Sequence, residues 1–456
     1  MSTFIRASLP SERTFTYNIG MQRTILHVDG DSFFVSCELT RLPHLKGKPV
    51  VTGKERGIAS AMSAEAKKRG ITRGMRLRDM RRLCPEVVIL PSDYTLYALY
   101  ARRMYDIVRS HVGDDMVEEY SIDECFADLT GLNEPPDVVA QRIQDDLRRS
   151  LGMTFSIGVG PNKVMAKIGS KWKKPDGLTI ISRGDIDCYL ADLPIGSVWG
   201  IGAATTVRLR RLGIVTALDF ARKDRAWVAE HCDKPLAEIY EEFHGAFAKE
   251  LGVESNDPFS VQRTRTFFPP VGVSLRDRAF LWSQISHHVE DACMRLRHQG
   301  LVAARVSFFL KTTQLEYLRA EVELPDRSAS PEDVLHAIEP IFMHEWKRVG
   351  GAESHGIQFR ATGITLSGLR RADAGTLSLF EPDPSSSRAA ASGIIHQTLD
   401  KLTSRFGRNA VFLGSSFGAL KHDGDIGAPA PVSGSGKKKL ADYKRQFRTI
   451  FLGEVR

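Results

Sequence analysis

The sequence predicts an α+β protein of several domains, and three observations lead there. Its 456 residues exceed what a single hydrophobic core organises, which points to two to four domains. Between residues 24 and 174, strand-like and helix-like patterns follow in the order β…αββαβ, as expected of a sheet backed by helices on one face. Beyond residue 370 the chain turns polar, and its end is Pro/Gly/Ser-rich and then basic, a composition that does not build a core.

The elements follow in order. "TILHVD" (24–29) reads as a short buried strand ending in Asp29, and "DSFFVSCEL" as the start of a helix. "GKPVVTG" (47–53) is a strand closed by glycine, and "SAEAKKRGI" (63–71) a helix with basic residues in its last turn and a glycine stop. "YTLYALYARRMYDIVRSHV" (94–112) is a long amphipathic helix, followed by two strands around Asp123. In "PPDVVAQRIQDDLRRSLG" (135–152), Val139, Ile143, Leu147 and Leu151 recur at i+4 between a leading proline and a closing glycine. "TFSIGVG" (154–160) is a strand and "NKVMAKIGSKWKK" (162–174) a helix. A second unit begins near "LPIGSVWGIGAATTVRLRRLGI" (193–214), and a third, alternating strands and helices, runs from about Phe259 to Leu369. "IIHQTLDKLTSRFG" (394–407) is a short helical patch, and no internal repeat is present.

Hydrophobic content of 42% and charged content of 26% are ordinary for a soluble globular protein. No apolar run reaches the roughly 18 residues that span a membrane. The N-terminal twenty residues lack an apolar core of the secretory type, so they read as an extension, with Met21 an alternative start. The six cysteines, at 37, 84, 125, 188, 232 and 293, form no Cys-x-x-Cys pair; this argues against a zinc site or disulfide framework and for reduced thiols in the cytoplasm. A net charge of +8 permits a polyanionic partner without establishing one.

The chemistry concentrates in "YSIDECFADL" (120–129), where Asp123 and Glu124 lie side by side among apolar residues. With Asp29 they make three acids on neighbouring strands. Each could cap a helix or pair with an arginine. Together they could hold Mg2+, which takes hard oxygen ligands from one or two carboxylates, water and substrate phosphates. Two such ions can activate a hydroxyl and stabilise a leaving pyrophosphate in one in-line displacement. The carbonyl of Gly30 would complete the set, and Asp31 is a supporting or capping residue. Successive strand residues point to opposite faces, so Asp123 and Glu124 need a twist, a bulge or the longer glutamate arm to meet.

"HVDGDSFFVSCE", "YSIDECFADLTG" and "SIGVGPNKVMAKIGSKWKKPDG" resemble, in order and spacing, the motifs of Y-family (translesion) DNA polymerases, most closely the bacterial DNA polymerase IV type, over roughly residues 22 to 414. The resemblance implies a multidomain right-hand architecture. Its parts would be an N-terminal extension (1–21), a ferredoxin-like palm (22–32 and 94–182), small fingers (33–93), a helical helix-hairpin-helix thumb (183–250), an α/β little finger (259–369) and a flexible C-terminal tail (370–456). It also implies catalysis with two Mg2+ ions on Asp29, Asp123, Glu124 and the Gly30 carbonyl. Phe34 falls at the steric gate that excludes a 2′-hydroxyl, with Phe33 as its core neighbour, and Lys174 at the triphosphate-contacting lysine. The fingers depart from the pattern. Ala64 and Lys67 stand where polymerase IV proteins carry tyrosine and arginine, more like the catalytic subunit of polymerase V. Lysine keeps the charge but not the bidentate fork, so Lys67 implies weaker nucleotide binding.

Gly200 and Gly202, in "VWGIGAATTVRLRRLG", resemble the tight turn of a helix-hairpin-helix, whose amides contact phosphate without reading bases. In "SVQRTRTF", Arg263 and Arg265 alternate along a predicted strand and would share one face, open to a DNA backbone. "TLSLFEPD" resembles the peptide that docks bacterial polymerases on the sliding clamp, through Thr376, Leu377, Ser378, Leu379 and Phe380; Thr376 replaces the usual glutamine. The expectation is a cytoplasmic, monomeric, error-prone, low-processivity DNA-templated DNA polymerase acting on primer-template DNA and dNTPs. The alternatives are a non-catalytic DNA-bound scaffold related to these polymerases and, more remotely, a nucleotide cyclase on a similar palm.

Overall fold

The computed structural model describes residues 23–252, 258–349, 357–372, 388–406 and 411–422. The chain divides into two compact units, Met1–Ser255 and Asn256–Arg456. In the first, β1 (Ile25–Gly30) leads into α1 (Phe33–Arg41). A small sheet follows, made of β2 (Val50–Thr52), β3 (Ala61–Met62) and, after α2 (Ala64–Lys68) and α3 (Leu77–Leu83), β4 (Val88–Leu90). The long helix α4 (Tyr94–Val112) precedes the hairpin β5 (Val117–Ser121) and β6 (Glu124–Asp128). Then come α5 (Pro136–Leu151), β7 (Phe155–Gly160), α6 (Lys163–Trp172) and β8 (Leu178–Ile180).

The large sheet has the order β5-β6-β1-β7-β8, with β1 in the middle. Its pairs are antiparallel apart from β7–β8. Strand alternation sorts its side chains. Leu26, Val28, Cys125, Ala127, Phe155, Ile157 and Val159 join one core with Tyr97 and Met104 of α4 and Val139, Ile143, Leu147 and Leu151 of α5. Burying each aliphatic side chain there contributes about 1.5–3 kcal/mol, which rewards the i+4 spacing of α5.

The opposite face is covered as well, by α6, where the sequence predicted helices on one face only. The reason lies in β7. A Cβ on Gly158 would meet the Ala166 carbonyl oxygen at 2.0 Å, and one on Gly160 the Ala166 amide at 2.8 Å. Without those side chains α6 settles directly on the strand. His27, fully buried on this face, holds the Ser170 hydroxyl at 2.7 Å through Nδ1; burial first, then the surrounding lysines, keep its pKa well below the ordinary value.

The rest of the first unit is helical: α7 (Ile186–Ala191), α8 (Ala203–Arg211), α9 (Ala217–Ala221), α10 (Arg225–His231) and α11 (Lys234–Phe243). They enclose a core of Leu190, Ile195, Leu209, Phe220 and Ile239, shared with Val164, Met165 and Ile168 of α6.

The second unit is a sheet of order β11-β10-β12-β9. It comprises β9 (Ser260–Val271), α12 (Leu275–His298), β10 (Leu301–Thr312), β11 (Tyr317–Ser328), α13 (Pro331–Val349), β12 (Phe359–Ser367) and the two-residue β13 (Arg370–Arg371). The sequence predicted a tail from residue 370 carrying a short helical patch at 394–407, and helix is present over that patch and beyond it. α14 (Arg388–Phe406) and α15 (Phe417–His422) are helices of this unit. Arg297 of α12 forks onto both Asp400 oxygens at 2.8 and 2.7 Å, His396 meets Glu332 at 2.8 Å, and Glu290 accepts the Leu413 amide at 2.6 Å. Bidentate pairs of this kind fix geometry as well as charge. Met1, Met21, the clamp-like peptide Thr376–Phe380 and Lys437–Lys439 lie outside the described residues. Among the described residues no helix is long and apolar enough to cross a membrane.

Candidate active site

The three acids meet at one end of the large sheet. Asp29, near the end of β1, faces Glu124, the first residue of β6, as its cross-strand partner, so both point to the α6 face. Asp123 is not on a strand: it occupies the turn between β5 and β6, where strict alternation does not apply. That removes the conflict between the adjacent acids. The Gly30 amide donates to the Asp123 carbonyl at 2.9 Å, and the Ser121 hydroxyl donates to Asp123 Oδ1 at 2.6 Å.

Two lysines answer the carboxylates. Lys167 Nζ donates to Glu124 Oε2 at 2.6 Å, and Lys174 Nζ, just beyond α6, donates to Asp29 Oδ1. Asp31 accepts the Ser156 hydroxyl and the Asp176 amide, each at 2.8 Å. It thereby ties down the turn that carries Lys174. Burial pushes the Asp29 carboxyl up to about 6, Glu124 and Asp123 add to this, and Lys174 offsets only part of it.

Among the described residues no three His, Cys, Asp or Glu side chains converge as a preformed cage. The donor set nonetheless suits Mg2+, which is usually held by one or two carboxylates with water and substrate phosphates rather than by protein alone. Asp29, Asp123, Glu124 and the Gly30 carbonyl are the residues that would hold it.

The folded site keeps a proton on Asp29 up to about pH 6, whereas the unfolded chain releases it near 3.8. Stability therefore declines as pH rises through that window, and below about pH 6 a divalent cation must displace a proton. Mn2+ affinity, followed by electron paramagnetic resonance, is expected to fall about tenfold per pH unit below pH 6 and to level off above. A flat profile from pH 5 to 7 would contradict the raised value.

The acids open onto a cleft of about 280 Å3, also lined by Ser32, Phe33, Phe34, Ala61, Met62, Lys67, Arg73 and Lys174. Phe33 is 2% exposed and belongs to the core. Phe34 lies half-buried at the cleft, its ring stacked on Tyr97 at 4.4 Å and 11°, with Tyr94 edge-on at 5.6 Å. The Tyr97 hydroxyl donates to buried Glu38 at 2.8 Å. Lys67 donates to the Ser32 hydroxyl at 2.9 Å, and Ala64 is the first residue of α2.

Residues that sequence reasoning passed over are Lys167, Tyr97 and Arg73. Lys167 stands one helical turn from Lys163 and from Lys171 on α6, a basic i+4 series that could have marked it. Arg73, whose Nε donates to the Ser60 carbonyl at 3.1 Å, carried no signal beyond a basic residue before a glycine.

Elsewhere, Gly200 adopts φ +90°, a conformation glycine takes without strain, and Gly202 caps α8, so the expected tight turn is present. Arg263 and Arg265 do share one face of β9, but it is the face with Val261 and Phe267, packed on α12. Arg263 lies 3.9 Å from Asp291, and Arg265 donates to Gln284 at 3.3 Å. The expectation that they line an open face is corrected: Val261 and Phe267 have the same parity and are drawn into the core.

Residues 28–171 match the impB/mucB/samB family, residues 183–214 its helix-hairpin-helix motif and residues 258–379 its C-terminal domain. The DNA polymerase IV of Methanoculleus marisnigri is 32% identical over 323 residues, 69% of this chain and 88% of that protein. The chain belongs to the Y family of DNA polymerases. Within that family it is of the DNA polymerase IV type, a DNA-directed DNA polymerase of the translesion class. The polymerase IV of Pelotomaculum thermopropionicum is 29% identical over 86% of this chain and 94% of its own, and that of Lactococcus lactis subsp. cremoris 31% over 78% and 97%. A solved Y-family DNA polymerase chimera superposes with a TM-score of 0.62 at 22% identity, covering 76% of this chain and 98% of its own; the α+β multidomain polymerase fold is common to both.

Proposed function

We propose that this Y-family polymerase adds dNTPs to a primer 3′-hydroxyl opposite damaged templates, with low fidelity and low processivity, using two Mg2+ ions at Asp29, Asp123, Glu124 and the Gly30 carbonyl. The observation that carries the reading is the single cleft joining those acids to Phe34, Lys67 and Lys174. Held by these residues, divalent ions would supply Lewis-acid activation of the hydroxyl and charge stabilisation of the leaving pyrophosphate. Lys174 and Lys67 take the triphosphate, Phe34 stands against the sugar, and the amides around Gly200 and Gly202 take a DNA phosphate. In the second unit the sheet face carrying Gln262, Thr264, Lys311 and Arg319 is the one open to DNA. Thr376–Phe380 docks on a sliding clamp, and the enzyme works as a cytoplasmic monomer.

The test is extension by one nucleotide with each dNTP separately, on undamaged and abasic templates. Incorporation opposite both, with misinsertion on the undamaged one, supports the reading. Folded, DNA-bound protein that adds nothing to either template would favour the scaffold instead.

The fingers give a second expectation. A point-charge lysine at 67 cannot grip two phosphate oxygens as a guanidinium fork does. Lys67→Arg is expected to lower KM for dNTP by about threefold to tenfold in steady-state extension. An unchanged KM would remove Lys67 from the triphosphate site.

A further inference from the structure

The hairpin turn at Gly200–Gly202 and the carboxylate Glu124 are joined by a chain of contacts that runs outside the cleft. Trp199, immediately before the turn, donates its indole Nε1–H to the Tyr120 hydroxyl at 2.9 Å and stands edge-on to that ring at 5.4 Å and 87°. Tyr120 in turn stands edge-on to Phe126 at 5.4 Å, and Trp199 tilts onto Phe126 at 5.7 Å. Over this aromatic trio lies the Lys167 ammonium, 4.5 Å from the Tyr120 centroid and 5.3 Å from that of Trp199. The same ammonium donates to Glu124 Oε2 at 2.6 Å. Lys163, one helical turn before Lys167, lies 4.8 Å from the Phe126 centroid and pairs with Glu118 at 2.6 Å.

We propose that Trp199 and Tyr120 are positioning residues for Glu124. The proposal rests on the reading of Glu124 as a metal ligand. An ammonium over an aromatic face is held by the ring quadrupole, more strongly where water is kept away, and the Lys167 side chain is only 5% exposed. The indole N–H fixes where the Tyr120 ring stands, the rings fix where the ammonium stands, and the ammonium fixes which way the carboxylate turns. Partners beyond the first ligands set ligand orientation in this manner and strongly affect metal affinity. A residue beside the DNA-facing turn thus tunes a metal site that it never touches.

The test is Mn2+ binding to the full chain, read from the free-ion electron paramagnetic resonance signal, with the thermal midpoint as a folding control. Trp199→Phe keeps a ring and removes the N–H; Tyr120→Phe removes the acceptor. Each is expected to weaken Mn2+ binding about threefold to tenfold, below the 10–100-fold of partners that touch a ligand. The double variant is expected to be no weaker than the single ones, because both delete one bond. Wild-type affinity in both single variants, or additive losses in the double, would overturn the proposal. Should Trp199→Phe fail to fold, Tyr120→Phe reports the same bond from its other end. Wild-type protein that binds no Mn2+ at Asp29, judged by Asp29→Asn, would instead overturn the metal-ligand reading and this proposal with it.

Discussion

Asp29→Asn is expected to abolish nucleotide addition and, at the same time, to make the metal-free protein more stable. Asp29 is 6% exposed, beside Glu124 and Asp123. Its ordinary value of 3.8 is raised to about 6, so carrying a charge there at neutral pH costs about 3 kcal/mol at ~1.4 kcal/mol per tenfold. Asparagine removes that net cost, in which the attraction of Lys174 is already counted, so a gain of up to about 3 kcal/mol is expected. Rate moves the other way. Losing one hard ligand from a metal-assisted displacement is expected to lower single-turnover extension on the order of a thousandfold or more. Thermal unfolding and rapid-quench extension of one preparation give both numbers. A variant that is both less stable and fully active would contradict the geometry and the charge assignment together.

Phe34→Ala is expected to collapse discrimination against ribonucleotides. The Phe34 ring is stacked on Tyr97, which is fully buried and anchored on Glu38 at 2.8 Å, and this contact favours its position at the cleft. Exclusion of a 2′-hydroxyl by a fixed ring is steric and should disappear with the ring. The ratio of kcat/KM for dCTP over rCTP opposite template G is expected to fall by roughly two to three orders of magnitude, while dCTP incorporation itself changes far less. Phe33→Ala should act differently. Phe33 is a core residue at 2% exposure, and its truncation costs about 3–5 kcal/mol of stability without a selective effect on ribonucleotides. Equal loss of discrimination in both variants would remove Phe34 from the gate.

The reading of the sequence succeeded where periodicity or motif spacing carried the signal. The i+4 apolar series from Val139 to Leu151 became the buried stripe of α5, and Asp29 stands at the strand end where the pattern put it. It failed where long-range packing decides. The second covered face of the sheet depends on Gly158 and Gly160 admitting α6, and isolated glycines in a strand pattern do not say what approaches them. The parity of Arg263 and Arg265 was legible, but which face is covered was set by Val261 and Phe267 meeting α12. The exact place of the turn at Asp123 was not legible, because "YSIDECFADL" has no glycine or proline, and its Ser121 and Asp123 suit a turn as well as a strand end. The Lys167–Glu124 pair joins residues 43 positions apart, and only the fold brings them together.

The most direct test of the central account is single-nucleotide primer extension in Mg2+ by the wild type and by Asp123→Ala/Glu124→Ala, with DNA binding and thermal midpoint measured on both. The account predicts extension by the wild type that rises with Mg2+, and none by the double variant while it still binds primer-template. Extension that survives in a folded double variant would contradict it.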